Sequence, residues 1–425
     1  SSRLRYILDV IFRDILGVEY ELTQDAEKFR QANTAKFSYG NQQLGDQLLF
    51  QSASLLFEND IRQQNITVTD WNSTKAFFQT TAASAFPFDP FAAAFYLVSR
   101  YEEYLPGKRD SLGRYDETES LSYRNDFLQK PVVNIWAGKI KEAIKQRYPD
   151  FPFLEKKYQF ISTIDIDNAY AYRNKGMLRT IGAFGRDLVK LDLTNATNRF
   201  AAIAGTKQDP YNTYAELFRI QEKYQFSSVF FFLLGDWADK DRNVSWLNKN
   251  FQGLIKDIAS KADCGLHPSF ASNSNSEKIG IERKRLTKIL GNDSVKSRQH
   301  FLMLKFPDTY RNLIANNIRE DYTLGYAGNI GYRASICSPF YFYDLKKEEK
   351  TNLLLHPFAV MDATLCRYLK LKPDEAIDYI KPIVSETKAA NGKFISLWHN
   401  ESLSEISPWR GWKNVYEEMV KLAIS

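Results

Sequence analysis

Cysteine is scarce. Cys264, Cys337 and Cys366 are three in number, lie far apart and form no Cys-x-x-Cys pair. A zinc ribbon and a thioredoxin-type site are therefore excluded, and reduced, buried thiols fit a cytoplasmic compartment. Long apolar runs are missing too. No stretch reaches the ~18–20 apolar residues that cross a bilayer. Residues 3–14 read as an amphipathic helix interrupted by charge, without the apolar run of a signal peptide. There is no Gly-rich phosphate loop and no repeat of fixed period. Charge of one sign is not in excess: 57 basic against 51 acidic residues leave +6 over 425 residues. No basic run with interleaved aromatics occurs, so nucleic acid is not an expected partner. Nothing in the sequence reports on oligomeric state.

Aromatic residues are plentiful. The chain has 30 Phe, 24 Tyr and 7 Trp, and 44% of it is apolar, enough to bury a sizeable core and to rule out general disorder. The length suits two to three domains, or one large barrel with an addition. In the first third, residues 91–105 predict a helix after Pro87, Asp89 and Pro90, stopped by Pro106 and Gly107. Residues 108–124 read as a loop and 132–147 as a second helix. A boundary falls near residue 150. Beyond it, apolar β-rich runs at 158–164, 228–234, 264–266, 301–304, 322–324, 352–355 and 394–398 alternate with helical patterns at 213–224, 246–260, 279–290, 308–317 and 373–390. Such alternation predicts parallel β/α architecture, and seven runs suit a distorted barrel. The expected division is 1–150, an N-terminal α/β domain, and 151–425, the barrel.

The chemistry lies in what ends the runs. The first closes with Asp165-Ile166-Asp167, another with His267-Pro268-Ser269, the last with His399-Asn400-Glu401; one begins at Ser297-Arg298-Gln299-His300. In a β/α barrel the C-terminal strand ends converge on one mouth, where Asp and His can serve as metal ligands and acid–base groups. The chain has four His, and His267, His300 and His399 sit beside these ends; His356, without a charged neighbour in sequence, reads as structural.

The spaced motifs Thr163–Asp167, Gly265–Ser269, Ser297–Phe301, Gly331–Ser335 and Leu397–Glu401 resemble the polysaccharide deacetylase superfamily, the carbohydrate esterase family four or NodB-homology group. More narrowly, the chain is similar to deacetylase-like proteins encoded with surface-polysaccharide genes in the Bacteroidetes, which carry an N-terminal domain of unknown function. The resemblance implies an α/β fold, a distorted (β/α)7 barrel with an additional N-terminal α/β domain. It implies a divalent-metal hydrolase that removes N-acetyl or O-acetyl groups from a surface polysaccharide or its precursor. Zn²⁺ is the expected ion, with Co²⁺, Ni²⁺ or Mn²⁺ as alternatives. By the same resemblance Asp165 is the base, Asp167 and His267 are ligands, Arg298 orients the base and His399 is the acid.

The family's ligand motif has two histidines four residues apart, and Ala271 stands four after His267. His300 is the expected replacement; Asp263 could serve only if its strand end bends. Arg298 and His300, two apart on a strand, would share a face. Arg333, Trp398, Glu401 and Asp362 are candidate substrate-binding residues; Glu401 is also the candidate for fixing the His399 tautomer, or else a solvated loop charge. The charged stretch 100–103 with Asp110 and Arg114 reads as helix-face ion pairing. Two other classes fit: a degenerate barrel that binds glycan or a partner enzyme without catalysis, and a glycosyltransferase using Asp165-Ile166-Asp167 to hold Mn²⁺.

Overall fold

The computed structural model describes residues 1–174 and 193–425. The fold is mixed α/β. Residues 159–399 supply a nine-stranded sheet. Its members are β5 (Gln159–Ile166), β6 (Ser227–Phe232), β7 (Asp263–Leu266), β8 (Lys296–Ser297), β9 (Glu320–Asp321), β10 (Phe340–Asp344), β11 (Glu349–Leu355), β12 (Val360–Met361) and β13 (Lys393–His399). The N-terminal part holds two small pairs, β1 (Phe37–Tyr39) with β2 (Leu48–Phe50) and β3 (Thr69–Trp71) with β4 (Thr74–Ala76). The large sheet runs β10-β11-β9-β8-β7-β6-β5-β13-β12. Every neighbouring pair in it is parallel except β10 with β11.

Among the described residues, no ladder joins the two ends of this order. Yet β11 pairs with β9 and β12 pairs with β13, and only residues 356–359 separate them. Within that link Phe358 donates to the Leu324 carbonyl (3.2 Å) and Ala359 to that of Ile395 (2.9 Å). One stretch of chain thus borders both ends of the parallel array.

Alternation sorts the side chains. Val229, Phe231, Ile395 and Leu397 share a small enclosed cluster with Tyr322, Phe358 and Met361. Ile164, Phe230, Phe232 and Trp398 face the other way, into the larger core. Burial on both faces explains the unbroken apolar run of β6; each of its three phenylalanines contributes about 1.5–3 kcal/mol relative to exposure. Gly265 is required where it stands, since a Cβ there would come 2.5 Å from the Phe231 ring.

Helices Tyr214–Tyr224, Lys249–Ala259, Glu277–Leu290, Asp308–Ala315 and Pro373–Ala389 fall where the pattern predicts them. Two predicted strands are displaced. The 301–304 run is largely a tight turn, His300–Leu302, and the strand lies earlier, at β8. Likewise β9 ends just before the predicted 322–324. β10 and β12 were not expected.

Residues 322–339, between β9 and β10, contain no helix, and N-terminal residues bond to that stretch. Tyr332 donates to the Leu128 carbonyl and Val133 to that of Ser335. Asn134 bonds Ser338 and the Cys337 amide. Helix Val132–Arg147 forms as predicted. The predicted 91–105 helix stops at Val98, because Arg100 adopts φ 54°. The stretch 100–103 is not a solvated helix face. Arg100 is buried and bonds Glu102, Glu103 and Tyr326. The larger hydrophobic core runs through both parts of the chain. Among the described residues, no helix is long and apolar enough to cross a membrane.

Candidate metal centre and active site

β5 supplies Asp165 within the strand and Asp167 just beyond it, two residues apart and hence on one face. β13 lies beside β5 with His399 opposite Asp165. β7 is followed at once by His267, β8 by Arg298 and His300, and β12 by Asp362. Five strand ends thus deliver the candidate residues.

The three imidazoles converge on Asp167 with their Nε2 atoms. His267 Nε2 lies 3.1 Å from Asp167 Oδ1; His300 Nε2 and His399 Nε2 lie 3.5 and 3.8 Å from Oδ2. Each ring is fixed from behind through Nδ1. His267 Nδ1 donates to the Arg298 carbonyl (2.6 Å), His300 Nδ1 to Asp241 Oδ1 (2.9 Å) and His399 Nδ1 to Asp362 Oδ1 (2.8 Å). With the proton on Nδ1, Nε2 of a neutral ring presents a lone pair, as a ligand histidine at position 267 or 300 would need.

Asp167, His267 and His300 can each direct one ligand atom so that all lie within 4.8 Å of one another. Among the described residues, Asp167 Oδ1 is buried without a hydrogen-bond partner, a costly state for a carboxylate oxygen that no cation meets. Burial opposes charge on Asp167, yet His300, His267 and His399 together hold its carboxyl well below the usual range. Burial also opposes charge on His300, and Asp167 and Asp241 on either side still push it up to about 9. A field that favours a proton there favours a metal cation. One carboxylate and two imidazoles are a donor set that suits zinc and its neighbours. The residues present fit a divalent ion.

Asp165 is set apart from this triad. Its Oδ1 accepts from Arg298 Nη1 at 3.1 Å, while its Oδ2 lies 3.8 Å from His267 Nε2. Arg298 is fully buried, donates to Thr163 Oγ1 and the Tyr322 carbonyl, and lies 4.9 Å from the Phe231 ring centroid. Burial opposes charge on His399, but Asp362 drives it up to about 10, so the ring carries a proton at neutral pH.

Several predicted placements need correction. Arg298 and His300 both reach the site, but from a turn after β8, not from one strand. Asp263 stands at the start of β7 and pairs with Lys296 (2.6 Å). Ala271 gives its backbone N–H to Asp241 (3.1 Å). Trp398 lies on the opposite strand face from His399 and is buried against Tyr416 and Met419, so it cannot stack on a sugar. Arg333 is buried and bonds Glu103 through Nε (2.8 Å) and Nη2 (2.5 Å), away from solvent. Asp362 is fully buried and holds His399 rather than a substrate. Glu401 pairs with Arg367 at 3.0 Å and leaves the His399 tautomer to Asp362. His356 stacks on Tyr322 with ring centroids 4.2 Å apart.

Asp241 was not singled out from the sequence. It follows β6 in a polar loop, outside any motif, and also accepts from the Phe270 amide (2.7 Å). Only the need of a ligating histidine for a partner behind it could have prompted the search.

A family of unknown function, DUF7033, matches residues 1–149. No curated protein matches the chain. Solved structures similar to it include a candidate polysaccharide deacetylase from Mycobacterium smegmatis, with 14% identity and a TM-score of 0.42 over 65% of this chain and 86% of that one. PuuE allantoinase shares 9% identity with a TM-score of 0.39, over 63% and 83%. A candidate polysaccharide deacetylase from Pseudomonas aeruginosa PAO1 shares 9% identity with a TM-score of 0.38, over 62% and 83%. Likeness at that level leaves the chemistry to the residues themselves.

Proposed function

We propose that the protein is a divalent-metal hydrolase that removes acetyl groups from an N-acetylated sugar of a surface polysaccharide or its precursor. Asp167, His267 and His300 hold the ion. The observation that carries this is the aim of three imidazole Nε2 atoms at one half-buried carboxylate, each ring fixed from behind.

A divalent ion in such a donor set polarises an acyl oxygen and acidifies water. Asp165, oriented by Arg298, takes a proton from the attacking water as it adds to the acyl carbon. His399, protonated and held by Asp362, gives its proton to the departing amine as the C–N bond breaks. Acetate and a free amino sugar result. The division of labour between Asp165, bonded to Arg298, and Asp167, facing imidazoles, supports this reading over a glycosyltransferase, in which both carboxylates would serve one Mn²⁺. We divide the chain at about residue 150 and read the parallel array as a distorted seven-stave barrel, with β11 and β12 as one broken stave.

The test is equilibrium dialysis against Zn²⁺, followed by release of acetate from N-acetylated oligosaccharides. One Zn²⁺ per chain with metal-dependent acetate release is expected. Failure to bind zinc, cobalt or nickel would sink the proposal.

A further inference from the structure

We propose that Arg114, in the N-terminal part, is the positioning residue for His300; this rests on the reading that Asp167, His267 and His300 hold the metal. The motif after β8 makes an unusual turn. Phe301 and Leu302, directly after His300, have φ of 57° and 53°. Bulky L-residues avoid that region, and it persists only where the surroundings dictate it. Inside the turn, Leu302 donates to the Gln299 carbonyl at 2.9 Å, while the Met303 bond to the His300 carbonyl is 3.4 Å. From outside, Arg114 Nη1 donates to the Phe301 carbonyl at 2.8 Å.

The guanidinium is itself held. Its Nε donates to Asp110 Oδ2 (2.6 Å) and its Nη2 to the Tyr368 hydroxyl (3.2 Å). Asp110 Oδ1 in turn accepts the backbone N–H of Leu112 and of Arg114, each at 2.9 Å. Arg114 is almost wholly buried. Asp110 balances its charge, so its contact with the turn fixes position more than potential. Tyr368 lies in Thr364–Tyr368, the stretch that follows Asp362. One rigid fork therefore ties the His300 turn to the segment beside the His399 anchor. A lysine offers no such fork.

The consequence is a part for residues 1–149 in the site itself. The experiment compares the full chain with Arg114→Gln, Arg114→Lys and Asn134→Ala. Asn134 bonds the 337–338 backbone and side chain at the same interface, away from the turn. Zn²⁺ affinity is measured by chelator competition, and hydrogen exchange is followed at the Leu302 and Met303 amides. Both Arg114 variants should lose about 10–100-fold in zinc affinity and exchange faster at those amides, whereas Asn134→Ala should match the parent in both. Parent-like affinity and exchange in Arg114→Gln would overturn the proposal. So would equal losses in Asn134→Ala, or full rescue by lysine. If the parent takes up no zinc, the metal reading fails alone, and the amide exchange still decides for or against Arg114.

Discussion

Two buried charge clusters invite comparison. In one, Arg100 and Arg333 meet Glu102 and Glu103. Two positive and two negative groups cancel, and the pairs join the N-terminal part to residues 325–333. In the other, at the strand ends, Asp165 pairs with the one guanidinium, Arg298, while Asp167, Asp241 and Asp362 face imidazoles. The four carboxylates outnumber the one arginine; His399 carries a proton, and the Nε2 atoms of His267 and His300 turn inward to Asp167. The first cluster matches its charges within the protein, although Arg100 Nη1 has no hydrogen-bond partner. The second turns its inner atoms toward one another, the imidazole Nε2 atoms toward the Asp167 carboxylate, around a point where three ligand atoms could meet. Burial alone does not mark function; the convergence of carboxylate and imidazole donor atoms does.

The sharpest test of that contrast is Asp165→Asn. The amide keeps the contact with Arg298 but cannot accept a proton. Turnover should fall by about 10²–10⁴-fold, with zinc still bound; Asp167→Asn should weaken zinc as well. Equal metal loss in both variants would mean that the two carboxylates have been given each other's roles.

On the other side of the comparison, Arg333→Met leaves Glu103 short of a partner. Removing one member of a buried pair costs about 3–5 kcal/mol, readable as a lower urea midpoint. Zinc affinity should stay at the parent value. A variant that lost zinc but not stability would erase the distinction between the clusters.

Asp362→Asn probes the acid side. An amide can still accept one hydrogen bond from His399, but it no longer supports a charged imidazole. Turnover should fall by roughly 10²-fold with metal binding intact, measured as kcat against dialysed zinc content.

Much of this was legible in the sequence, and the rest failed for identifiable reasons. Helical periodicity placed Val132–Arg147 and Pro373–Ala389 closely, because each presents a long amphipathic pattern. The strand ends singled out Asp165, Asp167, His267, Arg298, His300 and His399, the residues that meet. The two-residue strands β8 and β9 were misplaced since so short a ladder leaves little pattern. Trp398 was misassigned although alternation from His399 already turns it away. Arg333 and Asp362 could not be resolved, because pairing across the chain, with Glu103 and with His399, has no local signature. Asp241 was invisible for the same reason.

The smallest expected effect sits between the two clusters in kind. Glu282 is buried beside the site's outer wall, where it accepts from the Ser269 amide (2.9 Å) and hydroxyl (2.5 Å). Burial pushes its carboxyl up from the ordinary value to about 7. The folded state therefore keeps a proton that the unfolded chain has already released. The associated stability is complete below the ordinary glutamate pKa and is lost as pH rises through 7. Glu282→Gln removes the titration while its amide can still accept from Ser269 N–H. Urea unfolding of the two proteins at pH 4.5 and pH 8 should show the parent losing on the order of 1–3 kcal/mol relative to the variant. Parallel pH profiles would mean that Glu282 keeps its charge as securely as Glu103 does, and that desolvation on this side of the site is weaker than its burial implies.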